Sequence, residues 1–160
     1  MTLPRTPSQT VGPFFALGLC RRPENELAAA EGDSFKLIGS VLDGDDAPVP
    51  DALVEIWLAA ERRWGRCATD SEGRFEFTAP KPLPLDGEAP RIDVYVFARG
   101  LLKHQLTRIY FPDERANESD PVLSILTADQ RDALTAKPED GAFRFDIRLQ
   151  GDRQTVFFAV

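Results

Sequence analysis

The chain has 160 residues, enough for one domain with a real core and too few to favour two. With 26 acidic against 19 basic residues its net charge is −7, the wrong sign for a surface that neutralises nucleic-acid phosphates or anionic lipid headgroups. One histidine, His104, and two cysteines, Cys20 and Cys67, exclude any metal site that needs two imidazoles from this chain, and any four-thiolate cluster.

Thirteen prolines and eleven glycines punctuate short runs of β-branched and aromatic residues, the texture of an all-β domain. Near the N-terminus stands Thr6-Pro-Ser-Gln-Thr-Val-Gly-Pro-Phe-Phe15, whose two prolines and glycine rule out a central strand or a helix interior. An extended arm is expected over the first fifteen residues, docking its Phe14-Phe15 end on the domain or on a neighbouring chain. Pro23–Glu31 follows as a short Ala-rich helix ending at Gly32. Strands are predicted at Phe35–Leu42, Leu53–Ala59, Arg66–Asp70, Arg74–Ala79, Arg91–Ala98, Gln105–Phe111, Ala142–Leu149 and Thr155–Ala159. Asp43-Gly-Asp-Asp46 reads as a hairpin turn; it lacks the downstream glutamate of a calcium loop. Asp70-Ser-Glu-Gly73 is a second turn signal, and the strands on either side of it are expected to pair as a hairpin.

Asp120-Pro121 puts an N-cap before a proline at the first helical position, and Thr127–Gln130 is a capping box leading into a helix at Arg131–Lys137. Phe143, Phe145, Ile147 and Leu149 alternate with Arg144, Asp146 and Arg148, the period of a sheet with one buried side. Two segments result, an arm with a short helix over 1–34 and a β-sandwich over 35–160. No basic start runs into an apolar stretch, and nothing approaches the roughly 18 apolar residues of a membrane span, so a soluble cytoplasmic protein with reduced cysteines is expected.

The arm resembles the N-terminal signature of the intradiol ring-cleavage dioxygenases, in particular the α chains of their two-chain members. Leu53-Val-Glu-Ile-Trp57, Phe97-Ala-Arg-Gly100, Thr107-Arg-Ile-Tyr-Phe111, Phe143-Arg-Phe-Asp-Ile147 and Gln154-Thr-Val-Phe-Phe158 resemble family segments in the same order. The resemblance implies an immunoglobulin-like β-sandwich and a non-haem Fe(III) held by two tyrosines and two histidines of a partner β chain. In this sequence the family's His-x-His is matched by Arg91-Ile-Asp93, and Pro80–Leu85, where a ligand tyrosine is expected, has none. Arginine is no ligand, so Arg91 and Asp93 are read as an ion pair filling a vestigial metal position, with a plain surface pair as the alternative. Tyr95 and Tyr110 lie within predicted strands and read as packed tyrosines. His104 reads as a solvent-facing or interface residue, and Arg108 and Arg144 as exposed or interfacial with no chemistry of their own.

By motif, Thr10, Gly12, Pro13 and Arg99 are the residues that the resemblance places around a substrate pocket shared with the β chain. Glycine lets backbone approach a ligand, proline fixes φ, threonine offers a hydroxyl, and the guanidinium suits the carboxylate of a small aromatic acid. The expected function is a non-catalytic α subunit of an iron-dependent dioxygenase. The alternative is a stand-alone β-sandwich binding module that has lost the iron site.

Overall fold

A computed structural model describes residues 4–20, 23–27 and 34–159. Among the described residues nine strands form two sheets: β1 (Ser34–Leu42), β2 (Leu53–Leu58), β3 (Arg63–Ala68), β4 (Arg74–Pro80), β5 (Arg91–Phe97), β6 (Gln105–Tyr110), β7 (Lys137–Glu139), β8 (Ala142–Arg144) and β9 (Ile147–Arg148). One sheet runs β3-β2-β5-β6; the other runs β4-β1-β8-β7, with β9 also paired to β1. Among the described residues three short α-helices, α1 (Pro13–Leu19), α2 (Pro121–Ser124) and α3 (Ala128–Ala133), and a 3-10 helix at Arg115–Ser119 lie outside them.

Alternation drives the sheets together. Val54, Ile56, Leu58, Ile92, Val94, Val96 and Ile109 from one sheet share a buried core with Leu37, Val41, Phe75, Phe77, Phe145 and Ile147 from the other. Burying a side chain of this kind is worth about 1.5–3 kcal/mol, so these residues dominate folding. The architecture is the expected all-β sandwich.

The Asp70–Gly73 turn forms as predicted: Asp70 Oδ1 accepts from the Glu72 and Arg74 amides, and Gly73 sits at φ +68°. The strands around it do not pair, however. β3 pairs with β2, whereas β4 pairs with β1, so the turn carries the chain from one sheet to the other. A local turn signal fixes the reversal but not the partner. At Asp43–Asp46 the turn is also as expected, with Asp43 Oδ1 accepting from the amides of Asp45 and Ala47.

The predicted helix at Pro23–Glu31 is not one over its described part, since residues 23–27 are extended. Glu24 bridges Arg66 of β3, Glu26 bridges Thr78 of β4, and Leu27 is buried between the two sheets. Residues 28–31 lie outside the described residues. Conversely, the arm contains a helix: Gly12 is extended at φ −124°, and Pro13 occupies the first turn of α1, where its missing N–H costs nothing. The predicted helix at Arg131–Lys137 sits earlier, at α3, with the capping box in place, and Lys137 starts β7.

The last strands follow from one glycine. β8 and β9 keep a single register against β1, with Ala142 opposite Lys36 and Ile147 opposite Val41. Between them Asp146 Oδ1 takes the Ser40 amide at 3.0 Å, so a carboxylate stands where a carbonyl would be and the ladder is interrupted. A Cβ on Gly39 would lie 2.0 Å from the Phe145 carbonyl oxygen and 2.6 Å from the Phe75 ring. The predicted Thr155–Ala159 strand shrinks to one bridge, Phe158 to Leu106. Gly39→Ala is expected to lower stability by about 2–3 kcal/mol, or roughly 5–10 °C in a thermal melt followed by circular dichroism. Gly12→Ala, whose Cβ meets nothing within 4 Å, should melt with the parent protein.

Candidate functional site

β5 presents Ile92, Val94 and Val96 to the core and Arg91, Asp93, Tyr95 and Phe97 to the outer face. Antiparallel register places Asp93 beside Arg108 of β6. Asp93 Oδ1 accepts from Arg91 Nε and lies within ion-pair distance of Arg108 Nε, both at 3.3 Å. Glu88, in the loop before β5, pairs with Arg91 and lies 3.5 Å from Arg108 Nη1. All four side chains are 12–22 % exposed, so the pairs are screened far less than surface ones. The Arg91–Asp93 pair expected from strand parity is present. Arg108 is not the exposed residue that one branch of the sequence reading allowed: it is a central member of a half-buried cluster. Arg144 pairs with Asp146 and Glu139.

The cluster continues inward. Arg108 Nη1 donates to Tyr110 Oη, which in turn reaches Asp120 Oδ1, each at 3.4 Å. Asp120 is fully buried and caps α2, accepting from the Val122 and Leu123 amides at 2.9 Å, while its other oxygen takes the Ala89 amide at 2.8 Å. Burial pushes the Tyr110 phenol up, with the Asp120 carboxylate adding to the shift and Arg108 opposing it. Sequence reading saw Asp120 only as a helix cap and gave no sign of Glu88; pairing β5 with β6 on paper would have set Asp93 opposite Arg108.

Thr10 and the Phe97-Ala-Arg-Gly100 segment come together. Thr10 Oγ1 accepts from the Gly100 amide at 2.8 Å and lies 3.4 Å from the Ala98 carbonyl. Arg99 is exposed at the tip of this turn, beside a hollow of about 210 Å³ that Asp43, Val49 and Gln150 help line. The larger cleft, about 510 Å³, lies next to it, between the arm and the end of β5. Gln9, Val11, Phe15, Phe97, Lys103 and His104 are among its walls; none of them was read as a site residue from the sequence. Gly12 and Pro13 line neither space, being exposed at the start of α1.

His104 is not fully solvent-facing. It packs on two rings of the outer face, 5.6 Å from Tyr95 and 5.3 Å from Phe97, and is half-buried. Phe15 holds α1 against Phe97 at 6.0 Å, while Phe14 and Leu17 stay 84 % and 68 % exposed. Both cysteines are free thiols, and burial pushes each of them up.

These side chains do not make an iron donor set. Arg91 is no ligand, and Asp93 is taken by two guanidiniums. Among the described residues no three His, Cys, Asp or Glu side chains converge as metal ligands, and no helix is long and apolar enough to cross a membrane.

Comparison with known proteins points one way. The chain is 39% identical to the protocatechuate 3,4-dioxygenase alpha chain of Burkholderia cepacia, covering 99% of both, and 38% identical to that of Pseudomonas putida, covering 98% of this chain and 96% of that one. It is 29% identical to the Burkholderia cepacia beta chain over 75% of its length and 66% of that chain. Among solved structures, the dioxygenase domain of a dioxygenase carbohydrate-binding protein fusion from Streptomyces sp. SirexAA-E superposes with a TM-score of 0.66 at 21% identity, over 81% of this chain and 88% of that one. No family model matches.

The buried end of the cluster is testable by itself. Asp120→Ala strips a cap and leaves the Ala89 amide unpaired, an expected loss of about 3 kcal/mol by urea unfolding, whereas Asp120→Asn, which keeps an acceptor, should lose about 1 kcal/mol. The raised phenol of Tyr110 sets a pH limit. Its stabilising contribution is complete below the unfolded-state value near pH 10 and is lost as pH climbs through the folded-state value, so stability should fall in that alkaline window and fall less in Tyr110→Phe.

Proposed function

The chain belongs to the protocatechuate 3,4-dioxygenase alpha-chain family of the intradiol dioxygenases, and from that premise we propose that it is the non-catalytic subunit of a cytoplasmic α/β heteromer whose β subunit holds the Fe(III). The assembled enzyme takes protocatechuate and O2 to 3-carboxy-cis,cis-muconate, both oxygen atoms entering the product as the ring opens between its two hydroxylated carbons. The observation that carries the division of labour is Asp93 held between Arg91 and Arg108, at the position matched to the family's two imidazoles. Arg91 and Asp93 are thus the remains of a metal position, refilled with charge pairs.

In this reading Thr10, Gly12, Pro13 and Arg99 line the substrate pocket from the α side. Exposed Gly12 and Pro13, with open space around Gly12, support a segment that faces a neighbouring chain. Exposed Phe14 and Leu17 argue in the same direction and against a stand-alone module, because solvated aromatic and aliphatic side chains on one short helix are stabilised by a partner. The role of Arg99 is electrostatic: in a chain of net charge −7, a guanidinium at the pocket rim supplies the local positive charge that the carboxylate of protocatechuate needs.

Purified alone, the chain is expected to hold no stoichiometric iron and to show no ring cleavage, and co-expressed with its β subunit it should be part of an active, iron-bearing complex. Iron and turnover in the isolated chain would overturn the assignment. Within the heteromer, Arg99→Ala should lower kcat/KM for protocatechuate by about 10–100-fold, the worth of a charge-assisted hydrogen bond, with iron content unchanged.

A further inference from the structure

The segment Ala98-Arg99-Gly100-Leu101 is a β-turn, closed by the Leu101 amide donating to the Ala98 carbonyl at 3.1 Å. Gly100 has φ +85°, while Arg99 is not among the residues with positive φ. That combination defines a type II turn, in which Arg99 stands at the second position and Gly100 at the third. Type I and type II turns differ by a flip of the peptide joining those two residues. Gly100 at the third position already favours type II, and a contact from outside the turn can hold the peptide there.

Thr10 is placed to do so. Its Oγ1 accepts from the Gly100 N–H at 2.8 Å, the one donor on the peptide that flips, and sits 3.4 Å from the Ala98 carbonyl to which its own proton can be given. Flipping the peptide would turn the Gly100 N–H away and break the bond. The hydroxyl is therefore largely occupied within the chain, with one lone pair left over for anything in the pocket it lines.

We propose that Thr10 is the positioning residue for Arg99: by pinning the Arg99–Gly100 peptide it fixes the direction in which the guanidinium projects toward the aromatic acid bound at the subunit boundary. This rests on the pocket reading above, so the test separates the pin from the pocket. The arm and the turn are then one device, in which the arm's contribution to substrate handling passes through Arg99.

The test uses the co-expressed heteromer with Thr10→Val, which keeps the shape and loses the hydroxyl, and Thr10→Ser, which keeps the hydroxyl. Hydrogen exchange at Gly100 should be faster in Thr10→Val and parent-like in Thr10→Ser. In steady-state kinetics Thr10→Val should raise KM for protocatechuate about 3–10-fold with little change in kcat, the effect of one hydrogen bond, and Thr10→Ser should restore it. Combined with Arg99→Ala, Thr10→Val should cost nothing further, since the residue it positions is gone. Unchanged exchange at Gly100 in Thr10→Val, or an equal loss with and without Arg99, would overturn the proposal. Parent-like kinetics of Arg99→Ala alone would overturn the pocket reading, and the functional half of the proposal with it, while the exchange result would still report whether Thr10 holds the peptide.

Discussion

Strict alternation along β5 is the constraint on which the rest depends. Ile92, Val94 and Val96 must face the sandwich core, and β5 is an inner strand with β2 on one side and β6 on the other, so its register has no freedom. Slipping by one residue would bury Arg91 and Asp93 and expose three aliphatic side chains. With the inner face settled, the outer face is settled too: Arg91 and Asp93 at one end, Tyr95 in the middle, Phe97 at the other, and the Arg99 turn directly beyond. The charge cluster, the aromatic wall of the cleft and the exposed guanidinium are three stations along a single strand.

At the first station, cations and carboxylates stand packed together on the outer face of β5. Charges at that depth are costly to desolvate, and a lone one would shift or break the structure. The chain meets the cost by alternating signs, Glu88 and Asp93 between Arg91 and Arg108, and by anchoring the far end through Tyr110 to a fully buried Asp120 that also caps a helix. The outcome is a half-buried polar patch whose charges are paired with one another.

The sequence shows the sandwich because core alternation is a local property of each strand, and most strand positions were legible for that reason. It hides what depends on distant pairing. Asp70–Gly73 announces a reversal equally well whether the next strand returns to its neighbour or crosses to the opposite sheet. Pro13 reads as a helix breaker until it is seen at the first turn, where a proline starts a helix instead. Asp146, which takes a backbone amide of β1, and Thr10, which takes one from the Arg99 turn, look like ordinary polar residues, because their partners lie 106 and 90 residues away. Of the residues placed at the site by motif, Thr10 and Arg99 are brought together, whereas Gly12 and Pro13 stand apart from both hollows.

Residues 23–27 bear on the solution behaviour of the chain. β3 and β4 are the outermost strands at one side of the two sheets, and each would otherwise offer a row of free amides and carbonyls to any extended peptide. Glu24 pairs with β3, Asn25 and Leu27 exchange amide bonds with Thr78 of β4, and Leu27 plugs the seam between the sheets. The segment thus occupies part of both edges at Arg66 and Thr78, where backbone groups would otherwise stand open to another strand.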